Sequence, residues 1–314
     1  MIPDGNREAA SVSESVKIKN FCLECGLELL QGNERDYITF SSALINRPGL
    51  LLTGFEDYFG DGRVQVIGNA EYYYIQSLSE EEKRRAMERL FTKRIPCIIY
   101  TRSINPSPYM LELSEIHNVP IFMSHRTTTS LNTDVGNYLE KLLAPMSCVH
   151  GTLLEVSGIG VMLTGRSGQG KSETALELIN RGHRLVADDA VIVKRLGDEL
   201  IGSAPEKIKF FMEVRGIGII VIRSLYGVAS VLPQEKIDLV IELRKWDGDE
   251  EFDRINDGND YEEILGLSVP KISLPVMPGR NLAVVVEVAA RSFRMKRMGY
   301  DPLGDLLKNQ KVGK

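Results

Sequence analysis

One octet constrains this chain more than any other stretch. Gly165-Arg166-Ser167-Gly168-Gln169-Gly170-Lys171-Ser172 fits the phosphate-binding P-loop pattern at every required position. In such a loop the backbone amides wrap a polyphosphate, with Lys171 adding charge at the terminal phosphates and Ser172 a hydroxyl for Mg²⁺. Glycine is needed because the backbone must turn sharply and come close to phosphate.

The flanks agree with the octet. Val161 to Thr164 reads as a buried strand and Ser172 to Arg181 as a helix. Ala175, Leu176, Leu178 and Ile179 give that helix an apolar face, and Gly182 is placed to end it. The helix N-terminus then points at the anion. Upstream, Val149 to Val156, Ser157-Gly158-Ile159-Gly160 and Val161 to Thr164 predict a β-hairpin running into the loop. An ordinary nucleotide-binding domain opens on a single buried strand, so a second domain rich in antiparallel sheet is expected.

The 314 residues suggest two domains, and 43% hydrophobic with 26% charged residues is ordinary for a soluble globular protein. A net charge of −5 and interleaved Lys/Arg and Asp/Glu give no reason to expect nucleic acid. No stretch has the length of a membrane span, and Met1 to Ser15 lacks the apolar centre of a signal peptide. A cytoplasmic protein is expected. Four cysteines in a chain this long do not make a disulfide framework. Cys22 and Cys25 form a C-x-x-C pair without a second pair, and Cys97 and Cys148 stand alone in apolar surroundings. Buried structural thiols are expected for all four, in preference to redox or metal use.

The first half alternates. Strands are predicted at Asp36 to Phe40, Arg63 to Ile67, Pro96 to Tyr100 and Pro120 to Met123. Helices are predicted at Ser79 to Lys93, capped by Ser79 with Glu82 three residues on, and at Met110 to Asn118. That order gives an α/β domain with a largely parallel sheet. Arg126 to Asn132 reads as a polar connection before a helix at Asn137 to Leu143, and the domain boundary is set near residue 140, giving domains 1–139 and 140–314.

Leu185 to Lys194 reads as one strand carrying Asp188 and Asp189, whose side chains then face opposite ways. A phosphoryl transferase needs a carboxylate to take the attacking hydroxyl's proton, and Mg²⁺ needs one or two carboxylates; the alternative is an exposed Asp-Asp turn. Glu213 and Arg215 share parity in Met212-Glu213-Val214-Arg215-Gly216-Ile217-Gly218-Ile219-Ile220, as a salt-bridged strand would also arrange them. His150 in an apolar strand reads more readily as structural than catalytic. Arg254 reads as a solvated loop residue, and Pro275-Val276-Met277-Pro278-Gly279-Arg280 as a rigid loop ending in a cation, or a plain connection.

Taken together these segments resemble the HPr kinase/phosphorylase family. The resemblance rests on Val149-His150-Gly151, the octet with Glu173, the run Arg181 to Asp189, Glu213 to Ile220, Phe252-Asp253-Arg254, Pro275 to Arg280 and Arg294 to Asp301. Ile38 to Ser41 and Asn46 to Gly54 extend it into the first half. It implies phosphorylation of a regulatory serine on the phosphocarrier HPr, with ATP or pyrophosphate as donor. It also implies the reverse, phosphate-dependent removal that gives pyrophosphate, in the control of carbon metabolism and catabolite repression. By matched position Asp189 is the base one way and the acid the other, with His150, Lys171 and Arg254 assisting at the phosphates. Ser172 and Glu213 are the implied Mg²⁺ ligands. Residues Met212 to Val221 serve both directions and Pro275 to Arg280 mainly dephosphorylation. A homohexamer is implied, with a C-terminal kinase domain similar to phosphoenolpyruvate carboxykinase and an N-terminal domain resembling the first domain of some Mur ligases. Two other readings keep the same site: a P-loop kinase of another protein or small metabolite, and a nucleotide switch without transfer.

Overall fold

A computed structural model describes residues 13–57, 59–245, 260–277 and 279–300. The chain divides into two compact units, Met1–Ala144 and Pro145–Lys314.

In the first unit β1 (Glu14–Lys17) leads into α1 (Ile18–Cys25) and pairs with β3 (Tyr37–Phe40) as an antiparallel ribbon. Between them lies β2 (Glu28–Gln31). Then follow β4 (Ile45–Asn46), α2 (Gly49–Leu52), β5 (Val64–Ile67), α3 (Asn69–Ser77), α4 (Glu80–Phe91), β6 (Ile98–Tyr100), α5 (Pro108–His117), β7 (Ile121–Met123) and α6 (Thr128–Leu142). The five-stranded sheet has the order β2-β7-β6-β5-β4 and is parallel except for β2 on β7. Both faces are covered, so the central strands β5, β6 and β7 are apolar apart from Gln65, and the period of two sorts their side chains. Val64, Val66, Ile99 and Phe122 pack with α1 and α6, while Ile67, Ile98 and Ile121 pack with α2, α4 and α5.

The α4 capping box forms as expected: Ser79 Oγ accepts from the Glu82 amide, and Glu82 Oε2 accepts from the Ser79 amide at 3.0 Å. The segment Arg126 to Asn132, expected as a polar connection, is instead largely the start of α6. Thr127 Oγ1 caps it from the Ser130 amide, and Leu131, Val135 and Leu139 bury one face. Threonine and serine compete with helical backbone bonds, which hides such a helix in a polar-looking sequence.

Cys25 and Cys97 are buried, and burial pushes the Cys25 thiol up to about 12 and the half-buried Cys22 thiol up to about 11. Cys148 is exposed, which corrects its expected burial: it lies on a strand whose side chains alternate in exposure.

The second unit opens with β8 (Met146–His150), β9 (Thr152–Val156), β10 (Ile159–Thr164), α7 (Lys171–Asn180), β11 (Arg184–Ala187), β12 (Ala190–Leu196) and β13 (Glu199–Ser203). It continues through β14 (Phe211–Val214), β15 (Gly218–Val221), α8 (Ile222–Tyr226), β16 (Gln234–Lys236), β17 (Leu239–Lys245), β18 (Tyr261–Ile264), β19 (Leu267–Val276) and α9 (Leu282–Arg297). A six-stranded mixed sheet has the order β11-β9-β10-β17-β19-β18, and a four-stranded antiparallel sheet the order β16-β13-β12-β8. The expected hairpin forms as β9 and β10, but its first strand, expected at Val149 to Val156, is split: Val149 and His150 belong to β8 in the other sheet; β10 then runs parallel to β17.

Alternation again assigns the faces. Leu154, Val161, Leu163, Leu239 and Ile241 pack against α7 and α9. Leu153, Met162, Val186 and Val240 pack against Val191, Val193 and Leu200 of the smaller sheet. The larger sheet is thus the middle of three layers. Gly202 belongs to this seam, since a Cβ there would lie 2.3 Å from a methyl of Leu153.

Leu185 to Lys194 is not one strand. The chain leaves the larger sheet after Ala187 and enters the smaller one at Ala190. Asp189 makes the corner with φ of +66°, a conformation in which aspartate is among the tolerated residues.

Candidate active site

The phosphate loop hangs from the C-terminal end of β10, an interior strand of the larger sheet. Gly165, Gly168 and Gly170 all have positive φ. A Cβ at Gly165 would lie 2.5 Å from both Gln169 Oε1 and the Leu243 carbonyl oxygen, so only glycine fits there. Gln169 Oε1 accepts from the Arg166 amide at 2.6 Å and closes the loop on itself. Lys171 Nζ spans the loop and donates to the carbonyls of Gly165 (3.0 Å) and Arg166 (3.3 Å). Burial draws the pKa of Lys171 below the ordinary lysine value. Gly170 caps α7 without a side chain, leaving the first-turn amides for an anion.

Two places where the chain changes sheets meet beside this loop. The first is His150-Gly151-Thr152, between β8 and β9; the second is Asp188-Asp189, between β11 and β12. The Asp189 carbonyl accepts from the Gly151 amide at 3.2 Å and lies 2.9 Å from His150 Nδ1. Gly151 is required at this crossing, because a Cβ would come within 2.7 Å of the Leu163 carbonyl oxygen. The Asp189 carboxylate lies 3.2 Å from His150 Nδ1, and both side chains are largely exposed.

Asp188 is buried. Its carboxylate accepts from Thr152 Oγ1 at 2.7 Å and from Ser172 Oγ at 3.1 Å to each oxygen. Burial pushes this carboxyl above the usual aspartate range, and the hydroxyls pull it partly back. The two aspartates were expected to face opposite surfaces. They line one cleft, because the chain turns a corner between them where a strand would have alternated.

The third wall is the hairpin of β14 and β15. Met212 and Val214 are buried in the core, whereas Glu213 and Arg215 line the cleft, as their shared parity predicts. The Arg215 guanidinium lies over the loop: a Cβ added to Gly168 would be 3.0 Å from its Nη2. Arg215 makes no ion pair among the described residues. Ile217 and Ile219 are exposed, Ile220 packs on the core, and Gly216 and Gly218 take positive φ at the turn. Val221 caps α8.

The cleft has a volume of about 150 Å³ and collects His150, Lys171, Ser172, Asp188, Asp189, Glu213 and Arg215. Val276 and Arg280 line a second cavity beside the loop, not this cleft. Arg254 and Pro278 lie outside the described residues. Sequence reasoning missed Thr152, which is wholly buried and holds Asp188; a lone threonine after a glycine carries no signal of that kind.

Among the described residues no cluster of three or more His, Cys, Asp or Glu side chains could hold a metal. Mg²⁺ asks for less, because it keeps several waters and shares its shell with phosphate oxygens. The Ser172 hydroxyl, fixed against the Asp188 carboxylate, and the Glu213 carboxylate in the same cleft fit that demand.

Residues 16–139 match the family model described as HPr Serine kinase N terminus, and residues 141–310 the model described as HPr Serine kinase C-terminal domain. An HPr kinase/phosphorylase of Geobacillus thermodenitrificans is 46% identical over 285 residues, covering 90% of this chain and 92% of its own. One from Caldanaerobacter subterraneus subsp. tengcongensis is 43% identical over 296 residues, covering 94% of this chain and 97% of its own. The solved Hpr(Ser) kinase/phosphatase of Coxiella burnetii is 38% identical, covering 51% of this chain and 98% of that one, with a TM-score of 0.45.

Proposed function

Because the chain belongs to the HPr kinase/phosphorylase family, we propose that it uses this one cleft to run phosphoryl transfer both ways on a serine of HPr. It is a serine protein kinase/phosphorylase. In one direction a phosphoryl group passes from ATP or pyrophosphate to the serine hydroxyl; in the other, inorganic phosphate takes it off and leaves as pyrophosphate. The observation that carries this reading is the meeting of an exposed carboxylate, Asp189, with the phosphate loop and His150 in one cleft.

Phosphoryl transfer rests mostly on positioning and on charge placed around the phosphates. The loop amides and Lys171 hold the same two phosphates whether they belong to ATP or to pyrophosphate. Lys171 exchanges its loop carbonyls for phosphate oxygens when the ligand enters. Asp189 accepts the serine proton as the hydroxyl attacks, and returns a proton to the serine oxygen when the phosphate ester is cleaved. His150 steadies that carboxylate and, with Arg254, assists at the phosphates. Asp188 sets the direction of the Ser172 hydroxyl. Ser172 and Glu213 would hold Mg²⁺, which would supply charge neutralisation at the phosphates. Met212 to Val221 serve both directions, and Pro275 to Arg280 mainly dephosphorylation. The C-terminal unit acts as a P-loop kinase domain similar to phosphoenolpyruvate carboxykinase, the N-terminal unit resembles the first domain of Mur ligases, and six copies assemble in the cytoplasm. No helix among the described residues is long and apolar enough to cross a membrane.

The test is direct. The protein, HPr and Mg²⁺ are incubated with ATP or with pyrophosphate, and the phosphorylated HPr is then given inorganic phosphate. Serine phosphorylation with either donor, followed by release of pyrophosphate, is expected. Absence of transfer in both directions overturns the reading.

A further inference from the structure

The first unit holds a cavity that the phosphate chemistry does not use. It lies where β7 begins, at the opposite end of the parallel strands from Gly68 and Thr101. The end of α5 and the connection from β2 to β3 wall it, and its volume is about 260 Å³. We infer that this cavity binds the guanidinium end of an organic cation, either a free small molecule or an arginine side chain offered by a partner protein.

Charge selects the class of ligand. Asp36 and Glu115 line the cavity from its two walls, and neither carboxylate has a hydrogen bond or ion pair among the described residues. No lysine or arginine among those residues lines it. The C-terminal end of α5 adds the negative end of a helix dipole, and Gln31 and Asn118 add amide oxygens. Such a lining repels anions. A guanidinium suits it better than an ammonium, because five donors spread in a plane can reach acceptors on two elements at once. Tyr37 adds an aromatic ring, which already draws the Lys17 ammonium to 5.9 Å from its centre.

Shape selects the size. Ile18, Val119 and Pro120 give the cavity an apolar side, which suits the methylene stem of a long cation. Pockets for whole drug-sized molecules start near ~300 Å³, so this smaller one takes a group the size of one long side chain.

The walls are set before a ligand arrives. Ser114 Oγ donates to the Val119 carbonyl at 2.6 Å, and the Val119 amide donates to the Ser114 carbonyl at 3.0 Å, which fixes the end of α5. On the other wall the Asp36 amide donates to the Asn33 carbonyl at 3.0 Å, and the Asp36 carbonyl accepts from the Ile18 amide at 3.0 Å. The backbone carrying both carboxylates therefore has little freedom left to lose when the cation enters.

The experiment uses the full chain and measures binding by calorimetry at low salt. The probes are argininamide, the blocked tripeptide acetyl-Gly-Arg-Gly-amide, and tetramethylammonium, which has the charge but no donor. The two guanidinium probes are expected to bind wild-type protein, and tetramethylammonium is not. The tighter of the two assigns the source, a free molecule for argininamide and a protein side chain for the tripeptide. Asp36→Asn and Glu115→Gln are each expected to weaken binding by about threefold, the scale of an exposed ion pair, and by about tenfold together. Both side chains are exposed, so the variants keep the fold. Glu112→Gln, at an exposed position of α5 outside the cavity, should bind as wild type does. The inference is overturned if neither guanidinium binds, if tetramethylammonium binds as tightly, if Asp36→Asn and Glu115→Gln bind as wild type does, or if Glu112→Gln loses as much as they do.

Discussion

Among the described residues each unit buries one carboxylate to the same depth, and the two are treated in opposite ways. Glu71 in the first unit and Asp188 in the second are both 6% exposed. Glu71 is answered by a cation and an amide: Arg47 Nη2 at 2.8 Å and the Gly68 amide at 3.0 Å. Thr101, which with Glu71 surrounds Gly68, is answered too, by Thr128. Asp188 is held by the hydroxyls of Thr152 and Ser172 and the Asp189 amide, and burial keeps its carboxyl raised. Around it Glu213, Arg215 and Asp189 face a cavity instead of one another. A closed polar network fixes a fold, and an open one is kept for something that arrives. Asp188 and Lys171 are buried charged groups beside the loop, and burial shifts both away from their ordinary pKa; such shifts gathered at one cleft point to chemistry.

The largest effect should come from removing charge on the open side. Lys171→Ala is expected to lower phosphorylation and phosphorolysis alike by about 10³-fold or more, the scale on which one cation acts at a transferred phosphoryl group. Arg47→Ala, its counterpart on the closed side, is expected to leave both rates near wild type. Rates with HPr and phosphorylated HPr check this; a Lys171→Ala protein with normal turnover in either direction breaks the contrast.

Next comes the proton. Asp189→Asn should slow transfer by about 10²–10⁴-fold, the usual share of a general base, while nucleotide affinity by calorimetry stays put. Should Asp189→Asn turn over normally while Asp188→Asn is dead, the two aspartates have been given each other's roles.

How far the sequence led can be judged at these residues. The octet, its helix and the hairpin before it were legible because glycine spacing and apolar alternation are local signals. So were the parallel sheet of the first unit and the α4 capping box. The sharing of one cleft by Asp188 and Asp189 was not. An apolar run with two acids in it follows the strand pattern, and only the change of sheet, forced by layers built from distant segments, turns it into a corner. Gly151 entered only through its motif, and Thr152 not at all, for the same reason: their partners, Leu163 and Asp188, are known only once β9, β10 and β11 are paired. The start of α6 was hidden by threonines that disfavour helix in isolation yet cap it well.

On the closed side the expected losses are in stability. Glu71→Ala removes the acceptor of a buried amide and the partner of Arg47, and should cost about 1–3 kcal/mol in urea denaturation. The transfer rate at a temperature where the variant remains folded should not change. A rate that falls with stability untouched would move Glu71 from the fold to the function.

The smallest effect is the most specific to Asp188. A carboxyl whose folded pKa lies above its unfolded value adds stability at low pH, and that contribution disappears as pH rises through the folded value. Asp188 is such a group, raised by burial above an aspartate's ordinary 3.8. Wild-type protein therefore carries a penalty at neutral pH that it does not carry in acid. Asp188→Asn has no proton to lose, so it escapes this penalty, although its amide answers Thr152 and Ser172 less well at every pH. Melting temperatures of both proteins, measured from about pH 4 to about pH 7, should show the variant gaining on wild type as pH rises. A flat or falling difference for Asp188→Asn would mean that its carboxylate is as well satisfied as Glu71, and the contrast between the two units would lose its physical basis.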